Sequence, residues 1–296
     1  MKARLAAWGL ALFATMLAAP AEARIDVLDV AAVPLERIDG RRPHELSGLA
    51  WDHERGVLYA VSDRGVLFAW QLRLADDRID RLAPLWARPV APAGRRINAE
   101  AIDLDRNGGP SRTTLIVGDE LGTTAWSLDP ASMTFTALAW PAGLDDARRS
   151  KQGIEALASS ARWGAIAAAQ RPPAHATGRP HEIHAERASQ PWRLARTSVP
   201  RSAIKAIEAA PSGHVIALEK VGGGTDVHRL RRFDPAACTP AGCDEHAAEI
   251  PALRNLPTAP NWEGLACRPD GVCLIVSDDA DLVGHGWLML LRLRFD

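Results

Sequence analysis

Five segments of this chain share one pattern, and that internal repeat constrains the fold more than any other feature. They are Ser47-Gly48-Leu49-Ala50, Glu100-Ala101-Ile102-Asp103, Glu155-Ala156-Leu157-Ala158, Lys205-Ala206-Ile207-Glu208 and Glu263-Gly264-Leu265-Ala266. Their first residues stand 53, 55, 50 and 58 positions apart. Each leads through a turn into a second apolar run that ends polar, at 58–63, 115–119, 165–170, 215–219 and 274–278. Pro211-Ser212-Gly213 and Pro269-Asp270-Gly271 suit such reversals. Two further short strands follow in most units, as at 66–72 and 80–85 in the first.

Four short antiparallel strands per repeat predict an all-β chain folded as a β-propeller. Blades pack face to face, which buries both faces of each sheet. Continuous apolar runs such as Leu274-Ile275-Val276 follow from that. The repeat length favours five blades; six would require a degenerate unit. The last unit is short of strands, and residues 25–38 are expected to supply the missing one, closing the ring and removing its exposed edges. The stretch 171–191, with Pro172-Pro173 and Pro180, reads as a long loop. No linker interrupts the periodicity, so residues 24–296 form a single propeller domain.

Residues 1–23 read as a signal peptide. Lys2 and Arg4 precede an apolar run at 6–17, and Ala21-Glu22-Ala23 fits small-x-small cleavage. The run is too short for a stable spanning anchor, although an uncleaved anchor is the alternative. No Cys near the cleavage point suggests a lipoprotein, and no later stretch approaches spanning length. The expected location is periplasmic or secreted, with no membrane span after cleavage. Of the 296 residues, 47% are hydrophobic and 24% charged, as in a globular chain. A net charge of −1 gives no reason to expect nucleic acid. A monomer is expected.

Cys238, Cys243, Cys267 and Cys273 follow the leader. An even count in an exported chain favours disulfides. Of three possible pairings, Cys238–Cys243 with Cys267–Cys273 is favoured, because each closes a short loop. A zinc site is the sharper alternative, but the spacings are not C-x₂-C.

In a propeller, equivalent positions of all blades surround one axis. The repeat therefore predicts two columns at one mouth of the channel: Ser47, Glu100, Glu155, Lys205 and Glu263, and then Asp63, Asp119, Gln170, Glu219 and Asp278. A further column follows with Arg64, Glu120, Arg171, Lys220 and Asp279. So many carboxylates near one axis cannot all stay ionised without compensation. A bound cation, a raised pKa, or the Arg and Lys neighbours must supply it. Oxygen ligands favour Ca²⁺ over Mg²⁺. In that reading Glu100, Glu155, Glu263, Asp63 and Asp278 hold the metal, and Arg64, Lys205 and Lys220 orient an anionic substrate. Salt links such as Lys205 to a neighbouring Glu, or direct acid–base roles, are the competing readings. Asn98 and Asn261 precede Glu100 and Glu263 by two residues and either add neutral oxygen ligands or cap turns.

The repeats resemble the phytase-like domain family, described as having esterase-like activity of phytase. The matching stretches are Glu45-Leu46-Ser47-Gly48-Leu49-Ala50, Val61-Ser62-Asp63-Arg64-Gly65, Asn98-Ala99-Glu100-Ala101-Ile102, Gln152-Gly153-Ile154-Glu155-Ala156-Leu157, and Asn261-Trp262-Glu263-Gly264-Leu265 with Val276-Ser277-Asp278-Asp279. The resemblance implies a secreted hydrolase of small esters or phosphoesters. It extends more distantly to calcium-dependent lactonase propellers, where a blade Glu binds an axial metal. A non-catalytic ligand- or protein-binding propeller of the cell envelope is the alternative function, and a lactonase the third.

Other motifs point elsewhere only weakly. There is no G-x-S-x-G, which argues against a nucleophile-elbow esterase. His44 is the nearest base to Ser47 in sequence. His181 and His184 read as solvated loop residues. Trp51, Trp70, Trp126 and Trp262 read as blade-packing residues; Trp262 alternatively lines the mouth.

Overall fold

The computed structural model describes residues 23–106, 113–122, 124–138, 153–171, 179–197, 202–222, 227–253, 260–278 and 286–294. The signal-peptide reading, up to its last residue, and Asp279 lie outside these. Strand β1 (Arg24–Ala32) comes first in the chain but belongs to the last blade. Blade 1 is β2 (Leu46–Asp52), β3 (Val57–Ser62), β4 (Val66–Ala75) and β5 (Arg78–Pro89). Blade 2 is β6 (Ala99–Leu104), β7 (Leu115–Asp119), β8 (Ala125–Asp129) and β9 (Thr134–Ala137). Blade 3 is β10 (Ala156–Ser160), β11 (Gly164–Ala168), β12 (His181–Ala185) and β13 (Trp192–Leu194). Blade 4 is β14 (Ala203–Ala209), β15 (Val215–Val221), β16 (Val227–Phe233) and β17 (Glu245–Glu249). Blade 5 is β18 (Asn261–Cys267), β19 (Val272–Asp278) and β20 (Trp287–Arg294), with β1 antiparallel to β20 on its outer edge.

The ring has five blades, and the N-terminal strand closes it as the sequence predicts. The first strand of each repeat is innermost, and these strands meet in the order β2, β6, β10, β14, β18 and back to β2. They are buried along nearly their whole length. Each interface between neighbouring blades carries its own apolar core. Phe68 and Trp70 of blade 1 pack with Leu274 and Leu290 of blade 5, for example. Ile183 and Trp192 of blade 3 pack with Ile207 and Phe233 of blade 4. Trp51, Trp70, Trp126 and Trp262 are all buried in these cores, so Trp262 does not line the mouth.

One expectation fails. The stretch 171–191 is not all loop, because it contains β12, where His181, Ile183 and Ala185 alternate inward with half-buried Glu182 and His184. Pro180 sits just before the strand, where a missing N–H costs no ladder bond. The two disulfides are Cys238–Cys243 and Cys267–Cys273, the favoured pairing. The second joins directly paired residues of the β18–β19 hairpin. Among the described residues no helix is long and apolar enough to cross a membrane.

Candidate functional site at the axial mouth

The ladder register explains how the first column reaches the axis. In blade 1, Leu46 pairs with Ser62 and Gly48 with Val61, leaving Ser47 as an extra residue. The same slip falls at Glu100, Lys205 and Glu263. Glu155 stands immediately before the first paired residue of β10. A β-bulge bends its strand and re-aims a side chain. Here it does so at the same rung of four innermost strands. Ser47, Glu100 and Lys205 line a cavity of about 10 Å³ together with Glu155, and Leu265 completes its wall from the fifth inner strand. That space holds about one water molecule.

Lys205 sits at the centre of this ring. Its ammonium lies 2.5 Å from Glu155 Oε1 and 2.7 Å from Glu263 Oε1. All three residues are buried. Burial opposes the lysine charge, but Glu155 and Glu263 outweigh it and hold its pKa above the ordinary value. Two amides complete the pattern. Gln170 Nε2 donates to Glu155 Oε1 at 2.8 Å, and Asn261 Nδ2 donates to Glu263 Oε1 at 2.8 Å. Burial raises the Glu155 pKa despite Lys205. Half-buried Glu100 is pushed up to about 9 by desolvation and by the charges of Glu155, Glu263 and Glu120. Its carboxyl is therefore a neutral acid at pH 7.

The second column of the sequence reading needs correction, because it mixes two rings. Counting from each bulge, Asp63, Glu120, Gln170, Lys220 and Asp278 are equivalent. Asp119 and Glu219 stand one residue earlier, and in a strand one residue means the opposite face. Accordingly Asp119 Oδ1 accepts from the Asn98 and Leu121 backbone N–H groups, both at 3.2 Å. Glu219 is wholly buried among His181, Ser202, Thr197 and Arg231. Asp63, Glu120, Gln170 and Lys220 instead join the axial network. Asn98 Nδ2 donates to Glu120 Oε2 at 2.7 Å, and Lys220 Nζ donates to Asn261 Oδ1 at 2.8 Å.

A wider pocket of about 380 Å³ opens beside the ring between blades 1 and 2. Glu45, Asp63, Arg64, Arg96, Asn98 and Leu121 are among its lining residues. The Asp63 carboxyl is pushed up to about 7 by burial, by Glu45 and by Asp278. Glu45 moves the other way, because Arg64 hydrogen-bonds it. The two carboxyls are neighbours whose shifts oppose each other, Asp63 upward and Glu45 downward. Arg96 donates to the Arg64 carbonyl and stays exposed.

The predicted metal ligands are thus divided. Glu100, Glu155 and Glu263 line the ring with Lys205, while Asp63 and Asp278 belong to the level above. Of the predicted anion-binding cations, Arg64 lies on the open pocket and Lys220 on the half-buried upper level. Lys205 is enclosed by carboxylates and closed to substrate, which corrects its assignment to substrate binding. Ca²⁺ takes six to eight oxygens. Here the ammonium occupies the point where ring carboxylates converge, and amide N–H groups cover the inner oxygens of Glu155 and Glu263. Glu155 Oε2 is the one buried ring oxygen without a partner. The ring as built does not fit a divalent cation. His44 makes no bond to Ser47; its Nδ1 lies 3.4 Å from Glu45 Oε2, and Ser47 Oγ donates to the Glu45 carbonyl.

Sequence reasoning missed Glu45 and Arg96 as site residues, and it placed Glu120 in the further column without giving it a role. It also missed the network at the far end of the ring, where Arg106 of blade 2 reaches Glu208 of blade 4 at 2.5 Å while its N–H donates to Ser159 of blade 3. The available signal was Glu45, which holds the same position two before the bulge as Asn98 and Asn261.

A five-bladed propeller with acid side chains gathered on its axis is a scaffold for hydrolases and binding proteins alike. The sequence matches the phytase-like family, "Esterase-like activity of phytase", over residues 42–280, and the chain belongs to that family. No curated protein sequence matches it.

Proposed function

We propose that this protein is an exported hydrolase of small anionic esters, carboxylic or phosphoric, working at the axial mouth by acid–base catalysis. The observation that carries the reading is a pair of raised carboxyls, Asp63 on the open pocket rimmed by Arg64 and Arg96 and Glu100 on the axial ring, two residues along the chain from Asn98 of that pocket. Family membership supports the reaction class, and two disulfides support an oxidising compartment. In this mechanism Arg64 and Arg96 orient the substrate anion. The Asp63 carboxylate takes a proton from water as it attacks the carbonyl carbon or phosphorus. Glu100 gives its proton to the departing oxygen.

Two shifted groups fix the expected pH dependence. Activity rises as Asp63 loses its proton near pH 7 and falls as Glu100 loses its own near pH 9. The test is kcat/KM against pH for aryl esters, aryl phosphates and lactones. Glu100→Gln should lower kcat at least about 100-fold, the usual worth of a general acid, with an unchanged melting temperature. An equal rate in Glu100→Gln would end this assignment.

The enclosed ion pairs of Lys205 favour a second reading, a propeller that binds a ligand without turning it over. That reading predicts no turnover on any of the three substrate classes, while Glu100→Gln changes only stability.

A further inference from the structure

We infer that Leu121 is a specificity-determining residue of the pocket between blades 1 and 2, which takes anionic esters carrying an aromatic or branched alkyl group beside the charge. That the ligand is an ester rests on the proposed hydrolase reading; the preference for an apolar group does not. The pocket has two kinds of wall. Arg64 and Arg96 supply the cations. Both are braced, Arg64 by Glu45 Oε1, which accepts from its Nη2 at 2.7 Å, and Arg96 through Nε to the Arg64 carbonyl. Leu121 supplies an apolar wall. It is 73% exposed, against 46% for Leu85, the other exposed large hydrophobic among the described residues. A single exposed leucine means little on an open surface. This one stands on a pocket, and its turn is fixed from two sides. The Leu121 N–H donates to Asp119 Oδ1 at 3.2 Å, and the same oxygen accepts from the Asn98 N–H at 3.2 Å. On the other side the Gly153 N–H donates to the Glu120 carbonyl at 2.7 Å. The fit there is close, since a Cβ on Gly153 would stand 2.2 Å from that oxygen and 2.3 Å from the Gly122 carbonyl. Backbone bonds therefore hold Leu121 out at the rim instead of letting it fold back into a core. A volume of about 380 Å³ is at the small end of ligand pockets, so the guanidinium groups and the leucine reach one small molecule. Charge then fixes the anion, and the leucine reads the group next to it.

The test needs no turnover. Calorimetry on the full protein with disulfides intact measures the Kd of phenylphosphonate and of methylphosphonate, two non-hydrolysable anions that differ in the apolar group. Wild type should bind phenylphosphonate at least about tenfold more tightly, the worth of a small apolar contact. Leu121→Ala should bring the ratio of the two Kd values close to unity, and Leu121→Met should keep most of the preference. Arg96→Gln should weaken both ligands by a similar factor and preserve the ratio. Both Leu121 variants should melt within about 2 °C of wild type, since the side chain is exposed. A wild-type ratio near unity, a ratio that Leu121→Ala leaves unchanged, or binding of neither phosphonate overturns the inference. Hydrolysis of phenyl and methyl esters is assayed separately. No turnover together with a Leu121-dependent preference ends the hydrolase reading and leaves the selective pocket standing. Turnover with no dependence on Leu121 does the reverse.

Discussion

Glu219 shows how far a single carboxylate in this ring depends on its face. It has no exposed surface, yet its pKa falls to about 2. Burial alone would raise it, but a bond from His181, the charge of Arg231 and the hydroxyls of Ser202 and Thr197 outweigh desolvation. His181 Nε2 and Ser202 Oγ are 2.7 Å apart, both fully buried and closed to any substrate. Removing one partner of a buried pair costs about 3–5 kcal/mol, because the other charge stays uncompensated. Glu219→Gln should therefore lower the urea midpoint markedly at pH 7. A depressed acid pKa stabilises the fold above the unfolded value and loses that contribution as pH falls through the folded one. The deficit of Glu219→Gln should thus shrink between about pH 4.5 and pH 2; an equal deficit at both ends would refute the assignment. From sequence, Glu219 was grouped with Asp63 and Asp278. Each ends an apolar run, but a run's end does not reveal which of two faces its last residue takes. His181 and Ser202 were out of reach for another reason, since they meet only through the packing of β12 against the start of β14.

At the scale of elements, the axial ring is made by a repeated bulge next to a small residue. The residue after each bulge position is Gly48, Ala101, Ala156, Ala206 or Gly264. The structure shows why. A Cβ on Gly48 would stand 3.0 Å from the Glu100 carbonyl and 3.0 Å from the Ile102 nitrogen. On Gly264 it would stand 2.8 Å from Val276 Cγ1 and 3.0 Å from the Gly48 backbone. Neighbouring inner strands approach so closely around the axis that this rung excludes bulk. Overpacking a tight interior costs about 1–3 kcal/mol, so Gly264→Val should lower the melting temperature by about 2–10 °C. Gly40→Ala is the control for a Cβ in open space, although its positive φ of 78° adds a small strain of its own. Equal melting of Gly264→Val and wild type would show that the strands have room to part. The repeat itself was legible because Glu-Ala-Leu-type segments recur at near-constant spacing. The bulge was not, since an extra residue in a strand leaves no mark until its partner strand fixes the register. β12 was hidden by flanking prolines, whose turn signal outweighed the short alternation of His181, Ile183 and Ala185.

The whole ring is held shut by a strand from the far end of the chain. β1 pairs with β20 from Arg24 opposite Arg294 to Ala32 opposite Trp287. Its side chains serve both neighbours, with Ile25, Val27 and Val30 packed toward the core shared with blade 4 and Leu28 toward that shared with blade 1. Asp29 Oδ2 also accepts from the Ile79 N–H of β5 at 2.8 Å. The count of repeats and the missing strand in the last unit made this closure readable from sequence, because a propeller tolerates no unpaired apolar edge. Deleting residues 24–32 would expose the edge of Trp287-Leu288-Met289-Leu290-Leu291, a template for pairing between molecules. The deletion should elute as aggregate on sizing chromatography and lose its cooperative melt. Because Arg24 and Arg294 face each other, a short turn can join the two ends of this hairpin. A circular permutant with that join, opened at the exposed Asp76-Asp77 turn between β4 and β5, should elute as wild type does and melt within about 5 °C of it, since loop tips tolerate new termini. The pair of variants separates closure from chain order. If the deletion melts like wild type, β1 is an ornament on blade 5; if the permutant unfolds, the order of synthesis and not the closed ring holds the propeller together.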